Sequence, residues 1–305
     1  MEPRKSRSEH ARLFGTSDPT RQPRCSVIVA HPDDEIVGAG CLISRLAKIT
    51  VLHITDGAPP DMQDAQVAGF ERPSDYARTR RQECISALAL ANVPQEKIVD
   101  FGVADRQAPH YLAALAKRIT TFLQQSSPDL VLTHAYEGGH PDHDAAAFAT
   151  HAAARLMRQN GIKPPVLFEM ALHPSMDGKL KVPEFLPNPA REITTLVLDT
   201  EARDLKCRMY DCFATQREVL KASPIGPEKF RQPPCYDFRR PPHRGKLHYE
   251  NFDCALTGEQ WQSLACRALD NLFPAAAGHS AESDSFGVCL DQMRRRCEMA
   301  DGLGR

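Results

Sequence analysis

An α/β fold, with a mostly parallel sheet covered by helices on both faces, is what this 305-residue sequence predicts. Three observations lead there. Short apolar runs rich in β-branched residues recur along the chain, which is the pattern of strands buried on both faces. Helix-length segments separate them, and strands alternating with helices imply parallel pairing with crossover connections. The composition is that of an ordinary globule, 42% hydrophobic and 25% charged, in a chain long enough to bury a core without staples.

The elements follow in order. Residues 1–24 are polar and proline-bearing and read as a loose arm, so the ordered chain is expected to start at Cys25. CSVIVA (25–30) is the first strand, IVGAGCLISRLAK (36–48) a helix and ITVLHIT (49–55) the second strand. A Gly/Pro/Asp loop (56–74) leads to a long helix over 74–93, with Ser74 and Asp75 as N-cap candidates. KIVDFG (97–102) is the third strand, 110–125 the third helix and DLVLTHA (129–135) the fourth strand. The fourth helix spans 142–159, ended by Asn160-Gly161, and further strands are expected at 166–172 and 192–199. Together 25–200 make a Rossmann-like core. Residues 201–274 are expected to add a helix (201–221) and a Pro/Arg/aromatic cap lying extended over the sheet, and 275–305 a mobile tail. Six prolines between 224 and 242 disfavour a helix or central strand there.

Charge and cysteine content narrow the function. A formal net charge of −1 lacks the basic excess of a nucleic-acid binder. Ten scattered cysteines with no C-x-x-C pair read as reduced thiols of a cytoplasmic protein rather than a disulfide scaffold. No apolar run approaches the ~20 residues of a membrane span, and the basic N-terminus has no apolar signal core.

Two constellations carry chemistry. Ala30-His31-Pro32-Asp33-Asp34-Glu35 follows the first strand and Gly138-Gly139-His140-Pro141-Asp142-His143-Asp144 follows the fourth. Both therefore sit at carboxyl ends of strands, where open α/β sheets bind their ligands. His31, Asp33, Asp34, His140 and His143 thus suit a metal hydrolase: a metal keeps three imidazole or carboxylate ligands plus a water, and a spare carboxylate takes the water's proton. The spacing alone leaves open which aspartate coordinates and which acts as base. Taken singly, an Asp-Asp pair after a strand also serves as a helix N-cap, and an H-x-x-H arises by chance in a chain with 12 histidines. Their joint occurrence at corresponding strand ends favours the site. There is no G-x-S-x-G elbow, and the first strand-to-helix turn, HPDDEIVGAG, is no dinucleotide fingerprint. Gly38 and Gly40 are read as allowing close packing of the helix.

AHPDDE after a strand, with HPDH about a hundred residues later, resembles the LmbE/PIG-L family of zinc-dependent N-acetylglucosaminyl deacetylases, with matching strand–helix order over about 25–200. The resemblance implies one zinc per chain, held by His31, Asp34 and His143; Fe(II) suits the same ligands. It further implies Asp33 as general base, His140 as oxyanion stabiliser or acid, and Asp142 orienting an imidazole from behind. Arg80 of Arg80-Arg81-Gln82-Glu83 matches the family's R-x-x-E and would reach the substrate sugar; an exposed i,i+3 ion pair is the plain alternative. Where the family often ends this helix in Leu-Gly, this chain has Ala-Asn-Val (91–93), and Asn suits a left-handed cap. Tyr136 and Glu137 are candidate pocket residues, while His134 is expected to pack and His151 to pack or face solvent. Arg231, Arg239, Arg240, His243 and Lys246 are read either as a solvated loop or as a clamp for an anionic substituent, with Arg239 and Arg240 chosen for that role. The expected substrate is a small N-acetylated sugar or glycoconjugate. The alternatives are an amidase cleaving a larger acyl or thiol conjugate, and a silent metal- or sugar-binding module.

Overall fold

A computed structural model describes residues 20–172, 175–176, 179–180, 184–221, 223–252 and 256–274. The predicted arm up to residue 19 and the predicted tail from 275 lie outside these. Apolar runs become strands where expected: β1 (Cys25–Val29), β2 (Ile49–Thr55), β3 (Ile98–Val103), β4 (Leu130–His134) and β5 (Val166–Met170). They pair in parallel, and with β8 (Ile193–Leu196) and β9 (Glu228–Arg231) the seven-stranded sheet has the order β3-β2-β1-β4-β5-β9-β8. β6 (Ser175–Met176) and β7 (Lys179–Leu180) form a separate ribbon. Strand order reverses at β1, so β1 and β4 flank the switch point.

The alternation of side chains along each strand divides the core in two. On one face Val27, Val29 and Val51 meet α1 (Asp34–Ile43), α3 (Pro73–Leu90) and α6 (Thr200–Asp211). On the other, Ile28, Leu52 and Val131 meet α4 (Leu112–Ser126), α5 (Pro141–Gln159) and α8 (Gly258–Leu272). Two short helices, α2 (Gln63–Val67) and α7 (Arg217–Lys221), lie in connections. After α3, Asn92 takes φ 60°, as expected of an asparagine doing a glycine's work. None of the helices among the described residues is long and apolar enough to cross a membrane.

The cap departs most from expectation. Glu228–Arg231 is a strand, β9, inside the sheet between β5 and β8 and antiparallel to both. Its prolines lie outside the strand, and its two buried charged ends, Glu228 and Arg231, are paired, so no apolar pattern marked it. α8 was also not expected; it fills the second face with Trp261, Ala265 and Leu269. Cysteine usage needs correction too: Cys25, Cys41, Cys84, Cys207, Cys212 and Cys266 are free, but Cys235 is disulfide-bonded. Chain folding, not sequence spacing, decides which thiols meet, and the composition no longer argues for a reducing compartment.

β9 also supports a kink within α1, which ends at Ile43 rather than at residue 48. Ala39 (φ −148°, ψ 15°) kinks the helix and frees backbone groups. The Glu228 carboxylate accepts the N–H of Cys41 (2.8 Å) and Leu42 (2.9 Å), and Lys206 Nζ donates to Glu228 (2.7 Å) and to the Val37 carbonyl (2.8 Å). Gly38 lets the helix ride close on the sheet, since a Cβ there would stand 2.6 Å from Met170 Sδ. Both members of the Lys206–Glu228 pair are buried, and removing one partner of such a pair leaves the other charge unpaired. Glu228→Ala is expected to destabilise the protein by about 3–5 kcal/mol in denaturant unfolding. A loss below about 1 kcal/mol would show that the pair does not hold the kink.

Candidate active site

β1 and β4 are hydrogen-bonded neighbours, so the loops that leave them share one crevice. His31 and Asp34 come from the first loop and the start of α1, His140 and His143 from the second loop and the start of α5. His31 Nδ1 lies 3.1 Å from Asp34 Oδ2 and 3.2 Å from His143 Nε2, which lies 3.2 Å from Asp34 Oδ1. Ligand atoms around a tetrahedral zinc at ~2.0–2.1 Å stand roughly 3.3 Å apart. Each distance is close to that edge, but the two to Asp34 end on different carboxylate oxygens. Among the described residues, the groups with one ligand atom per residue within 4.8 Å of one another include His31 with His140 and His143, and Asp34 with His134 and His143.

Behind the triangle, His31 Nε2 faces Asp105 Oδ1 at 3.0 Å and Asp142 Oδ2 at 3.4 Å. A carboxylate behind the far nitrogen is the usual arrangement for a metal-binding imidazole, because it fixes tautomer and ring plane. Asp142 is itself held by the N–H of Arg106 (2.6 Å) and Ala108 (3.1 Å). Burial opposes charge on His31, but Asp105 and Asp34 outweigh it and hold its pKa well above the ordinary value. Burial likewise opposes ionisation of Asp34, yet His143, His134 and His31 hold its pKa well below the carboxylate range. This concentration of carboxylate is what a cation neutralises.

Asp33 and His140 stand beside the triangle. Asp33 has φ 150° and ψ −27°, rare for a side-chain-bearing residue. Its Oδ2 accepts from Arg80 Nη2 at 2.8 Å. Burial pushes its pKa up to about 7, against the pull of Arg80. His140 caps α5: its Nδ1 accepts the Asp142 N–H at 3.2 Å, which leaves the ring proton of the neutral form on Nε2. Burial first, then His31 and His143, hold its pKa well below the ordinary value. Its ring meets His31 edge-on, 4.6 Å between centroids.

Arg80 is buried, so the exposed ion-pair alternative is excluded; Glu83 instead accepts from Thr215. Its Nη atoms reach the Gly57 and Pro32 carbonyls and Asp33, while Nε has no hydrogen-bond partner among the described residues. Gly57 (φ 69°) has no room for a side chain, because the guanidinium fills that place.

Other expectations are corrected. Tyr136 packs against Phe238 (4.8 Å) and Trp261 (5.3 Å), and its hydroxyl donates to the Arg240 carbonyl, so it belongs to the core beneath the cap. Arg239 and Arg240 pair with Asp270 and Asp237 on the cap surface, so neighbouring carboxylates, not the crevice, take their guanidinium groups. Arg231 is buried between Glu169 (2.8 Å) and Glu137 (3.1 Å). What the cap does supply is a wall: a Cβ on Gly138 would stand 2.7 Å from Leu247, and the His248 N–H donates to the Gly138 carbonyl at 3.0 Å.

The sequence reading gave no role to Asp105 or Asp144, and it expected His134 only to pack. Asp105 follows β3, and the strand-end rule that singled out the two motifs extends to it. Asp144 accepts the N–H of Glu137 and Gly138 and shapes the second loop. His134 stacks on His143 (4.1 Å), but its Nε2 accepts the Ala30 N–H at 3.0 Å, so that lone pair is engaged.

Comparison with known proteins identifies a family for part of the chain. Residues 26–154 match the family described as PIG-L, GlcNAc-PI de-N-acetylase. Residues 26–154 are a PIG-L/LmbE family domain. The chain is similar to the 1D-myo-inositol 2-acetamido-2-deoxy-alpha-D-glucopyranoside deacetylase of Corynebacterium diphtheriae, 28% identical over 42% of this chain and 51% of that protein. The same-named deacetylase of Tsukamurella paurometabola is 23% identical over 67% of this chain and 85% of that one. The solved structure of the A40926 pseudoaglycone deacetylase aligns with TM-score 0.53 and 26% identity, over 71% of this chain and 97% of that one. The PIG-L/LmbE match begins one residue into β1 and ends inside α5, so it contains both motifs, Arg80 and Asp105. Within this domain, His31→Ala and His143→Ala are expected to lose bound divalent metal on dialysis and metal analysis, whereas His134→Gln keeps it. Equal retention by all three variants would remove the triangle as the metal-holding set.

Proposed function

We propose that this protein is a zinc-dependent hydrolase that removes an N-acetyl, or other N-acyl, group from an amino sugar or glycoconjugate. The observation that carries the reading is the triangle of His31, Asp34 and His143 with Asp33 and His140 beside it. The kinship with deacetylases of acetamido sugars supports the substrate class. His31, Asp34 and His143 would hold the ion. When bound, zinc supplies a water acidified to a pKa of ~7 and a Lewis acid for the carbonyl oxygen.

The chain's own residues do the rest. Asp33 accepts a proton from the attacking water at its carboxylate, while Arg80 keeps that carboxylate aimed. His140, neutral in this surrounding, donates Nε2–H to the carbonyl oxygen as it gains negative charge. A neutral imidazole whose pKa is held down is a poor proton source, so the proton taken by Asp33 is the one delivered to the leaving nitrogen. Water thereby adds across the C–N bond, giving acetate and a free amine. Arg80 Nε is buried and has no hydrogen-bond partner among the described residues, so in this arrangement Arg80 acts through Asp33.

Acetate and amine should appear in equal amounts when the zinc-loaded protein is given N-acetylglucosamine glycosides. Silence across a panel of N-acetylated sugars, with longer-chain acyl analogues included, would remove the reading. Asp33→Asn should keep its metal and lose about 10²–10⁴-fold in kcat, the worth of a positioned base. The sign of the pH dependence follows from burial. Asp33 must be ionised to act and its pKa is pushed up to about 7, so kcat should fall as pH drops through neutrality. A kcat flat between pH ~5 and ~8 would contradict Asp33 as base.

A further inference from the structure

Directly beneath Asp33 lies a cluster of titratable side chains that the reaction does not touch. Glu35 of α1, His53 of β2 and Cys84 of α3 expose 0%, 1% and 1% of their surface. Glu35 Oε2 accepts the Asp33 N–H at 3.2 Å and lies 3.1 Å from His53 Nε2. The Cys84 thiol donates to Glu35 Oε1 at 3.2 Å, so both carboxylate oxygens are engaged. His53 Nδ1 continues to Asp100 Oδ1 at 3.3 Å, and Asp100 pairs with Arg81 at the surface side of β3.

Burying a carboxylate and an imidazole in a core is costly unless they are paired, and apolar residues would fill the space more cheaply. The reason for the polar cluster is the backbone above it. A non-glycine residue at φ 150° persists only where its surroundings over-determine it. Each polar group of Asp33 is tied. Its carbonyl accepts the N–H of Ile36 and Val37, both at 2.9 Å, its carboxylate accepts from Arg80, and its N–H reaches Glu35. The first tie comes with the helix. The third exists only because His53 and Cys84 keep the Glu35 carboxylate turned toward Asp33.

We propose that Glu35, His53 and Cys84, anchored by Asp100, are positioning residues that hold Asp33 in its strained, working conformation. This rests on the reading of Asp33 as base. The residues act through Asp33, so their loss should appear in kcat, leaving KM and metal content alone.

The test compares wild-type protein with His53→Leu, His53→Gln, Cys84→Ala and Asp100→Asn. Each is assayed for acetate release, metal content, thermal midpoint and hydrogen exchange at the Asp33 amide. His53→Leu should lower kcat by about 10–100-fold, the usual effect of losing an orienting partner, and Asp33 should lose protection. His53→Gln, whose amide still donates to Glu35, should recover most of both. Cys84→Ala and Asp100→Asn should give smaller losses in the same direction, and they carry the test if His53→Leu does not fold. A His53→Leu protein that melts lower but keeps kcat within about twofold overturns the proposal, because the cluster is then only packing. Metal lost together with kcat overturns it too, as does a second metal equivalent in wild type that disappears with Cys84→Ala. The exchange measurement needs no substrate. A wild type that hydrolyses nothing, yet loses Asp33 protection in His53→Leu, sinks the functional reading and supports this one; unchanged protection sinks this one whatever the activity.

Discussion

Everything in the site depends on the hydrogen-bonded pairing of β1 with β4. The two motifs lie about a hundred residues apart, and the proposed ligand set draws on both. Parallel pairing puts the carboxyl ends of both strands at one edge, and the reversal of strand order there opens the space between their loops. The register sets Ile28 opposite Thr133, so each strand ends within two residues of the other's last pair. A slip of one residue would turn His134 and its neighbours to the wrong face.

That edge concentrates more acid than a folded core tolerates unaided. Asp33, Asp34, Asp105 and Asp142 are all buried, as are His31, Arg80 and Glu35. The chain balances them in separate ways. Arg80 takes Asp33, the imidazoles take Asp34, and backbone N–H groups take Asp142. Each carboxylate therefore has a different environment, and neighbouring residues of the same type diverge. Asp33 is pushed up to about 7 while Asp34 is held well below the usual range. Burial acts on both; the difference is that Asp34 faces imidazoles at close range, whereas Asp33 has a single guanidinium and the charge of Asp34 beside it.

The region after residue 200 is structural in ways that bear on the site. β9 inserts between β5 and the earlier β8, Glu228 and Lys206 stabilise the kinked α1 that begins with Asp34, and Leu247 presses on Gly138 two residues before His140. Arg239 and Arg240 pair with the cap carboxylates Asp270 and Asp237. The cap thus works by shaping the second loop, not by presenting loose cations to the crevice.

Periodicity and the strand-end rule were enough to place β1–β5, β8, α1, α3–α6 and the two motifs, because apolar alternation and helix signals are local properties of the chain. The five side chains His31, Asp33, Asp34, His140 and His143 were legible for the same reason, with their division of labour implied by family resemblance. Tertiary structure decided the rest. β9 carries its polar ends into the core already paired, so hydropathy could not reveal it. Asp105 and His134 join the site through strands that are neighbours only in the folded sheet. Tyr136, Arg239 and Arg240 have the right chemistry, but their partners are chosen by packing. Glu35, His53 and Cys84 come from three separate elements, and no spacing in the sequence announces that they meet. Local pattern determines which elements form; long-range pairing determines which side chains share a site, since that depends on contacts between residues far apart in the chain.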